Sequence, residues 1–394
     1  MKFSLHKNTF LFLILGGSIS LLRPTVFGEI FSFQISLFCL LILLYLLLTD
    51  FNKLLVNIKV FYQLAILIFI YFYMFIRGVI DDPLKFIDLL KGLSISAVVV
   101  IVLFYILGVK KRTICFFDGV ALLIFLSALS TCISFIFMIL GYSTNQMIIT
   151  NIGYTYEGRG DVIFPFTFIY NELTGNLGGI VRLSGIYREP GCAPVFFCWA
   201  ASYLYWKNNL KLKWFYILIC IFGSIFSLST VGFLSLITLI ILISYTFKIR
   251  LSLVLTLCGL FIPLYFNYFF DAEYIGLKSK MESGSGSFEE RYEQAMALFN
   301  VNNLLFGDGN NWSIYSTNNI NLLASTKSNG LFLLIPYLIF YLISAGNFRF
   351  FLPALLPAFL ILLTSQPIFL EPALVVLIFS WVAIKEIESN KIKK

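Results

Sequence analysis

The chain has 394 residues, of which 59% are hydrophobic and 18% aromatic, while only 12% are charged. This is more apolar surface than a soluble fold of that length could bury in one core, so the composition indicates a polytopic membrane protein. The net charge of +8 comes with no soluble basic face, and the composition therefore does not indicate nucleic-acid binding.

The apolar segments predict a single all-α integral membrane domain over residues 1–394. Runs such as LFCLLILLYLLL lack the alternation of polar and apolar residues that a membrane β-barrel requires. About twelve segments approach the roughly 20 residues that a helix needs to cross a bilayer. They start near Phe10, Ile30, Val60, Phe86, Ile114, Gly191, Leu212, Gly232, Leu251, Gly330, Phe350 and Ile368.

The loops between these segments predict the orientation of the chain. When they are assigned alternately to the two sides, the basic residues collect on one side, and the positive-inside rule then predicts that both termini are cytoplasmic. Two connections are long, about 142–190 and 269–329, and both fall on the opposite side. Long loops on a rigid helical scaffold are where function usually collects.

The second long loop carries signals for a short helix. Ser287 and Glu290 have the spacing of a capping box and predict a helix from Phe288 to about Phe299. The preceding SGSGS is most simply a flexible linker, and the glycine of FGDGNN ends the segment. Between the long loops, SLSTVG at Ser227 to Gly232 divides one overlong apolar run into two helices.

The stretch VRLSGIYREPGCAPVFF concentrates charge just before the sixth predicted span. It contains Arg182, Arg188 and Glu189, and Pro190 favours a helix start there. The dipole and amides of that helix would add to the arginines in attracting an anion, and a phosphate or diphosphate at the membrane surface suits them. The simpler alternative is that each arginine snorkels to lipid headgroups or pairs with a carboxylate.

Other charged residues are also candidates for the outer face. Arg291 lies on the predicted loop helix, where none of its i±3 and i±4 neighbours is acidic. Lys327 precedes the tenth span and is a further candidate for an anion contact. Asp88 and Lys91 have the spacing of a structural ion pair. Glu189 is either a general base or the counter-ion of the arginines, and neighbouring cations weaken a carboxylate as a base.

Several other chemistries find no support in the sequence. Seven cysteines without a CxxC spacing predict neither a disulfide framework nor a zinc site. The one histidine, His6, argues against histidine catalysis, so neither a metal nor a cofactor is expected. Aromatic residues could stack on sugars or form interface belts and core: Phe164 to Tyr170, Trp199, Trp206 and Trp312.

The charged stretch resembles a known family. RLSGIYREPG, Arg182 to Gly191, resembles the R-x-x-G-x-x-x-E-P stretch of bacterial O-antigen polymerases (Wzy-type), within the wider group of O-antigen polymerases and ligases. SGSGSFEERYEQAMALF followed by NVNNLLFGDG is similar to the later outer loop of that group. FSLSTVGFLSL is similar to its serine-and-glycine helix break.

The resemblance implies a GT-C-like glycosyltransferase of about 12 transmembrane helices in the bacterial inner membrane, with two large periplasmic loops. Its donor is a glycan on undecaprenyl diphosphate, its acceptor is a second undecaprenyl-diphosphate-linked repeat unit, and a chain-length regulator is an implied partner. By motif position, Arg182, Arg188 and Arg291 are expected to bind the diphosphate. Glu189 is expected to orient them or to activate the acceptor hydroxyl.

Two alternatives stay open at this stage. Ligases of the same group typically carry a histidine in the second large loop, which has none here, and its absence favours a polymerase. A flippase or transporter of lipid-linked sugars would place ionisable residues near the midplane and show repeated halves. This chain has its charges at the outer rim and halves that do not match.

Overall fold

The protein is described here from a computed structural model that is mostly helical over the residues it describes. These are residues 7–49, 57–153, 160–172, 181–207, 213–229, 232, 259, 303–308, 321–364 and 368–392. Apart from residues 232 and 259, the predicted spans that start near Gly232 and Leu251 lie outside this part of the chain, as does the predicted helix that carries Arg291.

The helices before the first long loop are α1 to α6. Their bounds are α1 Lys7–Ser20, α2 Val26–Thr49, α3 Ile58–Asp81, α4 Phe86–Leu107, α5 Lys110–Ile139 and α6 Thr144–Met147. The later helices are α7 Ala193–Trp206, α8 Lys213–Phe226, α9 Leu322–Asn329, α10 Leu331–Ser344, α11 Phe348–Phe350, α12 Leu356–Thr364, α13 Pro372–Ile378 and α14 Trp381–Ile392. A π-helical turn, Phe351–Leu355, joins α11 to α12.

Four segments of the described chain are long and apolar enough to cross a membrane, as a membrane protein requires. They are Val26–Thr49, Ile58–Asp81, Pro83–Leu107 and Lys110–Ile139. Shorter apolar helices occur at 8–20, 213–226, 331–344 and 351–363. The membrane character predicted from composition therefore has direct support in these helices, whereas the count of about 12 spans stays a prediction.

The chain forms two compact units. The first unit contains Met1–Leu123, Gln294–Phe348 and Pro367–Lys394, and the second contains Ile124–Glu293 and Arg349–Gln366. The boundary passes through α5. In the first unit α3 packs against α4 and α10, and α1 packs against α2 and α13. A single integral membrane domain over residues 1–394 stays a prediction.

Glycines let two helices of the first unit approach closely. A Cβ at Gly16 of α1 would lie 2.0 Å from the Phe116 carbonyl oxygen, and a Cβ at Gly119 of α5 would lie 2.0 Å from that of Leu13. Small residues at helix crossings are a common way to pack helices in a membrane, where there is no hydrophobic drive between them. The crossing of α1 and α5 therefore requires glycine at both positions.

A buried polar network also ties the first unit together. The Gln63 side chain on α3 donates to the Phe340 carbonyl oxygen at 3.0 Å and to Ser344 Oγ at 2.9 Å, and it accepts from Trp381 Nε1 at 2.9 Å. Because this network satisfies both ends of the Gln63 amide, a polar side chain is tolerated among apolar helices. It links α3, α10 and α14.

The second unit contains a small antiparallel sheet that the all-α prediction missed. Its strands are β1 Ile148–Asn151, β2 Asp161–Ile163, β3 Thr167–Glu172 and β4 Val181–Leu183, paired in that order. The strands are short and lie in a loop predicted without regular structure, so they give little periodic signal. The sheet packs on the end of α5 through a cluster of Met138, Met147, Ile163, Val181 and Leu183.

The central helix of the second unit is α7, which is buried on nearly every side. It packs against α8, the π-helical turn and α12. An apolar helix that is buried on all sides belongs to the core of a protein. The 14 residues of α7 are fewer than the roughly 20 that a helix needs to cross a bilayer. The sixth predicted span is therefore shorter than expected in this structure.

We predict that Gly119→Ala destabilises the protein, whereas Gly92→Ala does not. The added methyl group at position 119 meets the Leu13 backbone, but position 92 on α4 has nothing within 4 Å. Overpacking of this kind costs about 1–3 kcal/mol, while alanine in an open helical position is neutral or favourable. Thermal unfolding of the purified variants in detergent measures the difference, and equal midpoints for the two variants would contradict the proposed crossing.

Candidate functional site

The candidate site is the turn that carries the charged stretch, and its foundation is a row of hydroxyl groups on α5. Ser127, Ser130, Thr131 and Ser134 have spacings of three and four residues, so they share one helix face. All four are buried. The row reads SALSTCIS, and hydroxyl groups on one face of an apolar helix are a sequence signal for a polar contact there.

Two of these hydroxyls hold the β2–β3 hairpin. Ser130 Oγ accepts the Phe166 N–H at 3.0 Å and lies 2.7 Å from Thr167 Oγ1. Ser134 Oγ donates to the Phe164 carbonyl oxygen at 2.7 Å. The hairpin turn would otherwise leave these polar groups unsatisfied among apolar side chains, so the hydroxyls fix the sheet on α5.

A third hydroxyl holds the charged stretch itself. Ser127 Oγ accepts the Ile186 N–H at 3.1 Å. Gly185 precedes it with φ +61°, and a Cβ there would lie 2.4 Å from Ser127 Oγ. Position 185 therefore needs glycine for two reasons, a left-handed backbone and the close approach of α5. Backbone bonds between Phe168 and residues 184 and 185 complete the turn.

Arg182 lies on β4, where its neighbours Val181 and Leu183 are buried. Since side chains alternate along a strand, Arg182 lies on the opposite face from these two. Its Nε donates to the Leu228 carbonyl oxygen at 3.3 Å, and its guanidinium lies 5.5 Å from the centre of the Tyr170 ring. Leu228 follows α8, which ends at Phe226 as the predicted helix break requires.

Arg188 and Glu189 follow the turn. The Arg188 side chain is only 3% exposed, that of Glu189 is 17% exposed, and Arg188 Nε lies 3.8 Å from Glu189 Oε1. That separation is an ion pair and exceeds hydrogen-bond length. A nearly buried guanidinium needs negative charge close by, so Glu189 acts at least as its counter-ion in this structure.

The helix after the site begins later than predicted. The Cys192 N–H donates to the Glu189 carbonyl oxygen at 3.1 Å, which forms a turn before the helix. As a result α7 begins at Ala193 rather than at Pro190, and Pro194 occupies its first turn. The amino-terminal end of α7, with the partial positive charge of its dipole, still follows the arginines directly.

Tyr187 lies between the two arginine positions and is fully buried against α7. Its ring stacks on Phe196 with centroids 4.5 Å apart and contacts the edge of Phe197. Burial raises the pKa of the Tyr187 phenol well above its usual range. The phenol therefore stays protonated at neutral pH, and Tyr187 is a packing residue rather than a base.

The remaining predicted residues belong to other segments of the chain. Lys327 is half-buried on α9 in the first unit, where its carbonyl oxygen accepts the Asp308 N–H at 2.9 Å. Arg291 lies outside the described residues. Asp88 and Lys91 form the predicted ion pair at 3.0 Å, with both side chains exposed. The structure therefore brings together Arg188 and Glu189, and it places Arg182 on the adjoining strand.

The second unit also brings together two of the segments that carry the family resemblance. Arg182 of the first segment contacts Leu228 of the helix break, and a Cβ at Gly232 would lie 2.8 Å from Pro194 Cγ. Comparison of the chain with protein-family models, curated proteins and solved structures gives no match. The assignment of function therefore depends on these residues and their geometry.

We predict that Gly185→Ala disrupts the site far more than Gly153→Ala. Both glycines have positive φ, at +61° and +64°, so both substitutions strain the backbone. Only at position 185 would the added methyl group also collide with a neighbouring atom, Ser127 Oγ. Strain alone costs about 1–2 kcal/mol, and the contact at 185 adds to it. Limited proteolysis of the purified variants, resolved by fragment mapping around residue 185, measures the effect.

A double variant tests whether Ser127 is the obstructing group. Ser127→Ala removes the hydroxyl that a methyl group at 185 would meet, so Gly185→Ala with Ser127→Ala should be more stable than additivity predicts. Additive losses would show that strain in the backbone, rather than the contact with α5, requires glycine at this position.

Proposed function

We propose that this chain is an O-antigen polymerase of the Wzy type. In this proposal it is a metal-independent, GT-C-like glycosyltransferase of the bacterial inner membrane, with about 12 transmembrane helices and both termini in the cytoplasm. It joins undecaprenyl-diphosphate-linked repeat units on the periplasmic face, where the loops at about 142–190 and 269–329 would lie.

One observation carries the proposal. A nearly buried arginine, Arg188, is held in a turn that Ser127 and Gly185 fix against α5. Arginines that merely anchor a protein to lipid headgroups extend outward on flexible side chains, and they need no such support. A guanidinium held in place before a helix amino terminus, with a second arginine on the preceding strand, suits a doubly charged phosphate group.

The proposed reaction needs this arrangement for its leaving group. A hydroxyl oxygen of the acceptor sugar attacks the anomeric carbon of the donor glycan and forms the new glycosidic bond. The bond between that carbon and the diphosphate oxygen breaks, undecaprenyl diphosphate leaves with the electron pair, and the hydroxyl proton passes to a base or to water. Fixed positive charge stabilises the diphosphate as negative charge develops on it.

The proposal assigns a role to each candidate residue. Arg182, Arg188 and Arg291 bind the diphosphate, and Lys327 is a further anion contact. Glu189 holds Arg188 in position, since the two side chains form an ion pair in this structure. A role of Glu189 in activating the acceptor hydroxyl predicts that Glu189→Gln alters the pH profile of the reaction. The expected partners are the lipid-linked donor and acceptor, membrane lipids and a chain-length regulator.

We predict that Arg188→Ala abolishes polymerisation in a deletion strain complemented with each variant. Removing one group that stabilises developing charge costs about 10²–10³ in rate, and Arg188→Lys should recover only part of the activity because an ammonium lacks the planar guanidinium fork. Arg349→Ala is the matched control, since Arg349 is exposed and belongs to the same unit. The readout is the surface polysaccharide ladder, with protein levels checked by immunoblot.

The ladder also separates the competing functions. A single repeat unit on lipid A-core with Arg188→Ala means that polymerisation has failed while flipping and ligation continue. Polymer that stays on undecaprenyl diphosphate would identify a ligase, and repeat units that accumulate on the cytoplasmic face would identify a flippase. A normal ladder from well-expressed Arg182→Ala and Arg188→Ala variants would refute the diphosphate-binding role.

A further inference from the structure

A second polar cluster, in the first unit, lies where α3 ends. Tyr73, Arg77 and Asp81 are spaced by four residues along α3 and therefore share one face. Arg77 Nε lies 3.4 Å from Asp81 Oδ2, and the two side chains are 18% and 15% exposed. An ion pair this enclosed, at the end of an apolar helix, is costly to form and is a mark of function in membrane proteins.

The cluster is completed by a tight turn from the other long loop. Asn303 Oδ1 accepts the Phe306 N–H at 3.1 Å, and Asp308 Oδ1 accepts the Asn303 N–H at 3.2 Å. The turn packs closely on the α9–α10 junction. Gly307 and Gly330 both have positive φ; Gly307 lies against the backbone of the junction, and Gly330 lies against the backbone of the turn. Arg77 Nη2 donates to the Gly307 carbonyl oxygen at 3.5 Å, which joins α3 to this turn.

The same junction presents buried acceptors. Tyr73 donates its hydroxyl to the Asn329 carbonyl oxygen at 2.6 Å. Asn329 is fully buried, and its Nδ2 donates to the Ser325 carbonyl oxygen at 3.0 Å. Within the described part of the chain, Asn329 Oδ1 is buried and accepts no hydrogen bond, whereas Asp81 Oδ2 faces Arg77 Nε in the ion pair. Buried acceptors in a native fold normally have a donor, so Asn329 Oδ1 points to a ligand that supplies one.

Aromatic rings flank the polar groups. Tyr73 stacks on Phe332 with centroids 6.1 Å apart, and Phe332 stacks on Phe306 at 4.9 Å. Phe306 and Phe332 are 45% and 39% exposed. Aromatic rings beside an acceptor-rich polar group form a surface with an apolar body and a polar edge, which suits the mixed faces of a sugar ring.

The charge of the cluster distinguishes among ligands. Asp81 neutralises Arg77, so the cluster has little attraction for a phosphate, whereas hydroxyl groups can donate to the carboxylate and accept from the guanidinium. We propose that Tyr73, Arg77, Asp81 and Asn329, with Phe306 and Phe332, form a saccharide-binding site that takes an uncharged part of the glycan. This inference rests on the proposed function, since it names a glycan as the class of ligand that the first unit binds.

The test separates sugar binding from diphosphate binding by using two probes. The first is the oligosaccharide repeat unit released from the surface polysaccharide of the source strain, and the second is undecaprenyl diphosphate without sugar. Each is titrated against the purified full chain in nanodiscs by calorimetry. Asp81→Ala should weaken oligosaccharide binding by about tenfold or more and leave undecaprenyl diphosphate binding within about twofold.

Matched variants control for charge and for folding. Asp88→Ala removes a carboxylate of the same type from the exposed pair with Lys91 and should change neither affinity. Arg188→Ala should show the opposite pattern to Asp81→Ala, with weaker binding of undecaprenyl diphosphate only. If Asp81→Ala lowers the unfolding temperature, the effect of Phe306→Leu on oligosaccharide binding tests the site instead. This variant removes an exposed ring and leaves the Arg77–Asp81 ion pair unchanged.

The outcomes distinguish the two proposals. If the wild type binds the oligosaccharide and neither Asp81→Ala nor Phe306→Leu weakens it, the second site is refuted and the polymerase proposal stands. If the wild type binds undecaprenyl diphosphate alone, the saccharide site is likewise refuted. If the wild type binds neither probe, both proposals fail.

Discussion

The hydroxyl row on α5 is the interaction on which the candidate site depends. A hairpin and a tight turn that pack against an apolar helix need partners for the backbone polar groups that face that helix. Ser127, Ser130 and Ser134 supply those partners from three successive positions of one helix face. The sheet, the turn and the arginines that follow are therefore held by a helix that composition alone would describe as a plain membrane span.

The turn on this helix accounts for the position of the charges. Gly185 allows the chain to reverse against Ser127, so that β4 before it and α7 after it both adjoin the turn. Arg182 and Arg188 lie on either side of the glycine, and Glu189 follows to balance the more deeply buried one. An arginine in such surroundings keeps its charge, because guanidinium groups are not deprotonated in proteins. Both guanidinium groups therefore carry their charge at any physiological pH.

The two units carry polar clusters of different chemistry. The cluster in the second unit contains Arg182, Arg188 and Glu189, whereas Arg77 and Asp81 in the first unit form an ion pair beside aromatic rings. A glycan on a lipid diphosphate has a charged part and a neutral, hydroxyl-rich part, and these call for different partners. Enclosed polar groups of both kinds in a chain this apolar are hard to explain by stability alone, because each must offset its desolvation.

The sequence by itself determined the membrane-protein class, because the chain has more apolar surface than a soluble core can bury. It also located the charged stretch, the helix break after Phe226 and the Asp88–Lys91 pair. These are local properties of composition and spacing. The sheet, the start of α7 and the roles of Ser127 and Gly185 were decided by tertiary structure. Strands of three to six residues carry little periodic signal, and a serine row on an apolar helix has no meaning until the segment that it binds is folded against it.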